Sequence, residues 1–340
     1  MKMTEWPLAD VTQIAGARRH AQSLAQEAGF DPARAAAVAL VATELSTNLI
    51  KHGGGGRLLV GHHDHSLHLL AMDKGQGMVD IAACMADGYS TAGTRGNGLG
   101  AVRRASAALH VASWPGQGTV IHARLPRDEP AASATSANAT SASATSQQQL
   151  GAVMVAKHGE TVCGDAWSVH EDGASRTVFV ADGLGHGTQA AIASTEAVQV
   201  FQRHRTGGPV EIIEAVHAGL RHTRGAAVAA ARVQWGSGTT VFAGLGNIAG
   251  TVWGPGGQMR RMVSHNGTAG HNARKVQGFE YPSADGLLIM HSDGIGSSWS
   301  LEPYPGLSRQ HPMLVAGVLY RDFARGHDDA TIVVVKTGRR

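Results

Sequence analysis

Cysteine is nearly absent: the 340-residue sequence holds only Cys84 and Cys163. They stand far apart and in no metal spacing. That excludes a disulfide scaffold or a cysteine-rich zinc module and fits free thiols in a reducing compartment. Aromatic residues make up 5% and charged residues 16%. Basic residues exceed acidic ones by only 29 − 26 = 3, and no basic run occurs, so neither nucleic acid nor an anionic membrane is expected as a partner. The longest apolar stretch, Ala35 to Ala42, is stopped by Thr43 and Glu44, well short of the ~20 residues that span a bilayer. No basic patch followed by an apolar run lies near the N-terminus. No signal peptide is therefore expected, and the protein is expected in the cytoplasm.

One segment lacks almost every kind of side chain. Residues 131–149 contain only Ala, Ser, Thr, Asn and Gln. Burial cannot offset the entropy of ordering such a stretch, so a flexible linker is expected there. It divides the chain into a domain over 1–128, a linker over 129–149 and a domain over 150–340. Each half is long enough to bury a core of its own. The 45 glycines add an unusual number of turns and close backbone approaches.

The patterns that are present predict an α+β protein. In the first half, Asp10 should cap a helix running to about Ala28, with Gly29 past its end. Asp31-Pro32 should open a second helix to about His52, ended by Gly53 to Gly56. Strands are expected at 57–62, 66–72, 110–114 and 119–125, in a mostly antiparallel sheet, and a helix near Gly98–Gly100. The second half reads as strands at 152–156, 166–170, 177–181, 227–234, 239–245, 250–253, 286–291 and 330–336. Helices are expected at 188–204, 210–223 and 313–324. Strands in runs with helices between them suggest a β-sandwich with helices outside it.

Three motifs in the first half fall in an informative order. Glu44 and Asn48 lie four apart on the second helix and share a face. A carboxylate beside a carboxamide can activate a nucleophile and hold a hydrated Mg²⁺. Asp73-Lys74-Gly75-Gln76-Gly77 ends a strand, where an Asp can accept from an adenine amino group while glycines let the backbone approach the base. Gly96-Asn97-Gly98-Leu99-Gly100 leads into a helix whose N-terminus offers N–H groups to phosphates. Taken singly, each has an ordinary explanation in a solvated helix face, a turn or a glycine-rich loop. Their order and spacing carry the joint reading.

With these motifs, residues 5–126 resemble the GHKL ATPase superfamily, whose nucleotide site is the Bergerat ATP-binding fold, an α/β sandwich. The resemblance implies Glu44 as general base, Asn48 as Mg²⁺ ligand, Asp73 as adenine contact, and Gly75, Gly77, Gly98 and Gly100 as nucleotide-loop glycines. Asp87-Gly88-Tyr89-Ser90-Thr91, followed by a short lid and Gly-Leu-Gly, is similar to the RsbT-type switch-protein serine/threonine kinases. Those kinases phosphorylate STAS-domain proteins of the stressosome.

In the second half, acidic residues recur at strand ends: Asp165, Asp182 in Asp182-Gly183-Leu184-Gly185-His186-Gly187, Asp293 in Asp293-Gly294, and the pair Asp328-Asp329. Asp-Gly often merely ends a strand in a turn. Four such positions bordering apolar strands can instead converge on one rim and form a hard oxygen site for Mg²⁺ or Mn²⁺. Two such ions would activate water for attack on a phosphate ester. His186 suits a leaving-group acid and a structural turn equally.

Residues 150–338 resemble PP2C-like phosphatases of the SpoIIE family, with the Asp-Gly-Leu-Gly-His-Gly string similar to the RsbX type. The resemblance implies Asp182 as bridging ligand, the Gly183 carbonyl, Asp293 and Asp328 as further ligands, and Asp165 near the cluster. Asp329 remains open as the alternative to Asp328.

The implied whole is a kinase and a phosphatase with opposed actions on an STAS-domain antagonist or stressosome protein, in a partner-switching or sigma-factor pathway. It would use ATP with Mg²⁺ in one half and Mn²⁺ or Mg²⁺ in the other. The alternative is an ATP-dependent binding module for an anti-sigma partner fused to an active phosphatase. Glu44 favours catalysis, because holding nucleotide requires no base.

Overall fold

A computed structural model describes residues 1–85, 98–128, 149–273 and 275–338. The chain divides into two compact units, Met1–Ser141 and Ala142–Arg340. The segment expected as a linker lies almost wholly outside the described residues, as does Asp87 to Thr91.

In the first unit the caps act as their residue types require. Asp10 Oδ1 accepts from Thr12 N–H at 2.8 Å, and Gln13 Oε1 reaches back to Asp10 N–H at 3.0 Å. The first turn, Val11–Gln13, is 3₁₀, and α1 spans Ile14–Glu27. Asp31 Oδ1 accepts from Arg34 N–H at 2.9 Å and opens α2, Pro32–Lys51, with proline in the first turn where no N–H is missed. Helix α1 buries Ala17, Ala21 and Ala25, one per turn, so α2 can approach closely with Ala35, Val38, Ala42, Leu45 and Leu49.

The helix pair covers one face of a five-stranded antiparallel sheet. Its strands are β1 (Met3–Leu8), β2 (Gly56–His63), β3 (Ser66–Met72), β4 (Ala108–Trp114) and β5 (Gly118–Pro126), in the order β1-β2-β3-β5-β4. Alternate residues Leu58 and Val60, Leu67 and Leu69, and Ile121, Ala123 and Leu125 belong to this core, as the two-residue strand period demands. Two short helices complete the unit, α3 (Ile81–Cys84) and α4 (Gly98–Ala105). Strand β1, pairing Met3 with Gly61 through Leu8 with Gly56, was not expected from the sequence.

The second unit stacks two five-stranded antiparallel sheets. The first contains β7 (Asp165–Glu171), β8 (Ser175–Gly183), β9 (Ala226–Gln234), β10 (Thr239–Leu245) and β13 (Phe279–Pro282), in the order β13-β10-β9-β8-β7. The second contains β6 (Leu150–Val155), β11 (Ala249–Trp253), β12 (Met259–Arg261), β14 (Leu287–His291) and β15 (Ala330–Lys336), in the order β12-β11-β14-β15-β6. Val178, Val180, Ala229, Ala231, Leu288, Met290, Val333 and Val335 meet between the sheets. Their neighbours Phe179, Ala181, Val228 and Ala230 point outward to α5 (Thr188–His204) and α6 (Pro209–Gly219).

Helix α6 stops before the expected Thr223. Thr223 N–H and Oγ1 both donate to Leu220 O, at 2.9 and 2.8 Å, and turn the chain. Helix α7 (Pro312–Phe323) lies against β6, where Gly151 leaves no room for a side chain beneath Pro312 and Met313. Strand β6 begins at a clamp: Gln149 O accepts from Lys336 N–H at 3.0 Å and from Arg176 Nη1 at 3.2 Å, and buried Arg176 also pairs with Glu171 at 2.8 Å.

The Phe179 and Phe201 rings stack 5.1 Å apart, nearly parallel and fully buried, joining sheet to helix. Phe201→Ala should destabilise the second unit by about 3–5 kcal/mol, read as a lower melting temperature for that unit.

Candidate active sites

In the first unit, α2 carries Glu44 and Asn48 one turn apart. The start of α4 descends onto them: a Cβ on Gly98 would stand 2.9 Å from Glu44 Oε2 and 3.8 Å from Asn48 Oδ1. Asn48 Nδ2 is buried and has no hydrogen bond among the described residues. A buried amide group in that state is suited to a ligand. Asp73 follows β3, and its Oδ1 accepts from Gly75 N–H at 2.9 Å and from Thr119 N–H at 3.2 Å. A Cβ on Gly75 would lie 2.7 Å from Gly53 Cα, so two main chains touch there. Gly77 takes φ +69° against the Trp114 carbonyl, an approach that leaves no room for a side chain. Gly100 is buried in the first turn of α4. Gly96 and Asn97 lie outside the described residues. Thr119 joins these motifs through a backbone N–H supplied by a partner strand, a contribution that no local pattern signals.

In the second unit, strand register gathers the acidic residues. Asp165 opens β7 directly opposite Asp182 near the end of β8. Asp293 follows β14, and Asp328 precedes β15. Asp182, Asp293 and Asp328 line one cavity of about 470 Å³ together with Leu184, His186, Asn247 and Thr268. Asp165 is buried at 3% exposure. Gly183 N–H donates to Gly164 O at 3.1 Å, and the Ala190 backbone fills the place of its missing Cβ.

The two adjacent aspartates have different surroundings. Asp329 Oδ1 accepts from Lys157 N–H and Oδ2 from Gly164 N–H, both at 2.9 Å, so its carboxylate ties three chain segments together. Asp328 lies on the cavity wall. His186 Nδ1 pairs with Glu160 Oε1 at 2.7 Å. Asn247 Nδ2 donates to Asp293 Oδ2 at 2.8 Å, and Ser292 Oγ donates to Asp165 Oδ2 at 2.7 Å. These partners were not foreseen; their signal is spatial, across 46 and 127 residues of chain.

The electrostatics of the rim are unfavourable for the protein alone. Burial first, then the charges of Asp165, Asp293 and Asp328, push Asp182 up to about 9. Burial pushes Asp165 up to about 7, against the lowering effect of the Ser292 hydroxyl. Asp293 is raised by burial and by Asp328. Asp165 Oδ1 is buried with no hydrogen bond among the described residues. Oxygen donors, surplus negative charge and an unsatisfied buried carboxylate oxygen together fit a hard divalent cation such as Mg²⁺ or Mn²⁺.

Comparison with known proteins agrees with this division. Residues 8–125 match the histidine kinase-like ATPase domain, and residues 172–338 match stage II sporulation protein E (SpoIIE). The serine/threonine-protein kinase RsbT of Bacillus subtilis (strain 168) is 33% identical over 125 residues, covering 36% of this chain and 90% of RsbT. The phosphoserine phosphatase RsbX of the same organism is 23% identical over 140 residues, 41% of this chain and 70% of RsbX. A solved structure described as "The bacterial stressosome: a modular system that has been adapted to control secondary messenger signaling" superposes with a TM-score of 0.52 at 27% identity. It covers 55% of this chain and 98% of the other. The chain thus belongs, through its first unit, to the histidine kinase-like ATPase family that includes RsbT, and it joins to that unit a SpoIIE-type domain of PP2C-like fold.

Proposed function

We propose that the protein sets the phosphorylation state of an STAS-domain switch protein from both directions. The first unit would transfer the ATP γ-phosphate to a serine or threonine, and the second would hydrolyse that phosphoester. The observation that carries this reading is the convergence of Asp182, Asp293 and Asp328 on one cavity above buried Asp165. Such a rim has little purpose without cations.

Asp182, Asp293 and Asp328, with Asp165 behind them, are the residues to hold Mn²⁺ or Mg²⁺, which would supply charge neutralisation for a phosphoryl group and acidify water. Asn247 orients Asp293 from the cavity wall. An ionised Glu160 can only accept, so His186 Nδ1 carries a proton toward it, and the ring is fixed at the cavity mouth, where it can serve a leaving oxygen. In the first unit, Glu44 would take the proton from the attacking hydroxyl, Asn48 would hold Mg²⁺, and Asp73 would accept from the adenine amino group. The place of Glu44 beside the start of α4 favours turnover over simple nucleotide holding, because holding nucleotide requires no base.

Release of phosphate from a phosphorylated STAS-domain protein in Mn²⁺, and transfer from ATP in Mg²⁺, test the two halves. Asp182→Asn should lower phosphatase activity by several orders of magnitude, the scale expected when a metal-generated nucleophile is lost. Full activity in that variant, or in chelator, would leave the Asp-Gly pairs as turns. In the first unit, Glu44→Ala should keep ATP affinity and lose phosphotransfer, whereas Asp73→Asn should lose affinity; calorimetry and radiolabel transfer separate the two.

The rim also predicts a pH dependence. The unfolded chain releases the Asp165 and Asp182 protons near pH 4, while the folded chain holds them to about 7 and about 9. Folding takes up protons between these limits, so stability in chelator should fall as pH rises from about 5 to 9. Added Mn²⁺ should flatten that slope, as read from melting temperatures across the range.

A further inference from the structure

Behind the carboxylate rim runs a buried chain of hydrogen bonds. Ser292 is fully buried just past β14. Its N–H donates to Thr331 O, and Thr331 N–H donates into its Oγ, both at 3.0 Å. A hydroxyl has a single hydrogen, and here it goes to Asp165 Oδ2 at 2.7 Å. One Asp165 oxygen is thereby occupied, while Oδ1 stays buried without a hydrogen bond among the described residues.

The residue before Ser292 is held as well. Trp299 Nε1 donates to His291 Nε2 at 3.0 Å. An indole N–H can only donate, so His291 Nε2 is the bare nitrogen and Nδ1 carries the hydrogen. Nδ1 lies 2.8 Å from the Ser292 carbonyl, the acceptor this tautomer requires. Both rings are 3% exposed and meet edge to face at 69°. Trp299 thus sets the His291 tautomer, His291 holds the Ser292 backbone, and Ser292 sets the Asp165 carboxylate.

We propose that Ser292 is a positioning residue for the cation site: it fixes Asp165 so that Oδ1 is presented to the Asp182–Asp293–Asp328 cluster, with Trp299 and His291 as its support. This rests on the cation reading of the rim. Partners of this kind, one bond removed from a metal ligand, change metal affinity by about 10–100-fold when removed. A merely structural bond would change melting temperature and leave cation affinity alone.

The test is Mn²⁺ titration of the full chain, followed by calorimetry and by the electron paramagnetic resonance of free Mn²⁺, with melting temperatures alongside. The site to follow is the one that Asp182→Asn abolishes. Ser292→Ala should weaken it about tenfold, Ser292→Thr should retain it because the hydroxyl remains, and Trp299→Phe should weaken it in the same direction by less. If Asp182→Asn leaves the isotherm unchanged, the cation reading itself fails. If Asp182→Asn abolishes a site that Ser292→Ala binds as tightly as the unaltered chain, the positioning role is overturned and the cation reading stands. Equal weakening by Ser292→Ala and Ser292→Thr would also overturn it. Should Ser292→Ala not fold, unchanged affinity in Trp299→Phe overturns the proposal and weakened affinity supports it.

Discussion

The cost of withdrawing several carboxylates from water at one point is the constraint around which the second unit is arranged. Burial is the largest cost of ionising Asp165, Asp182 and Asp293, and the charges of neighbouring carboxylates add to it. Charges in such surroundings persist only where the fold holds them and compensates them. The sandwich does the holding: strand register sets Asp165 against Asp182, and the β14–β15 pair brings Asp293 and Asp328 to the same end. Compensation is partial: Asn247 and Ser292 each satisfy one oxygen, and Asp165 Oδ1 has no hydrogen bond among the described residues.

The first unit solves a different problem by a different means. Its candidate nucleotide site depends on close approach of backbone to backbone, at Gly53 with Gly75 and at Gly77 with the Trp114 carbonyl. Charge enters sparingly, through Glu44 and Asp73. Asp73 accepts from two backbone N–H groups, one local and one from β5, so the β3–β5 pairing helps to set its position.

What the sequence disclosed and what it withheld follow the range of the interactions. The caps at Asp10 and Asp31-Pro32 are local, and the helices begin where those residues predict. Helix 188–204 and strands 239–245 and 330–336 lie where their apolar patterns place them. Strand β1 was hidden because Glu5, Trp6 and Pro7 break any clean alternation; its pairing with β2 decides its structure. Strands β12 and β13 have three and four residues, too few for a period to register. The acidic rim was legible because each Asp borders an apolar run. Asp328 and Asp329 were not separable in sequence, since what distinguishes them is the pair of N–H groups that Lys157 and Gly164 bring to Asp329.

The Gln149 clamp gives the second unit a mechanical character. Strand β6 lies at the edge of its sheet and runs antiparallel to β15, with Leu150 opposite Val335 and Val155 opposite Ala330. The carboxylates stand beyond the Ala330 end, whereas the clamp sits at the other, about 20 Å away at strand spacing. Tension arriving through the chain before Gln149 therefore meets the clamp bonds first and the strand pairs beside the carboxylates last. The acidic end of the sandwich is thus the part of that ladder farthest from the point where the preceding chain enters.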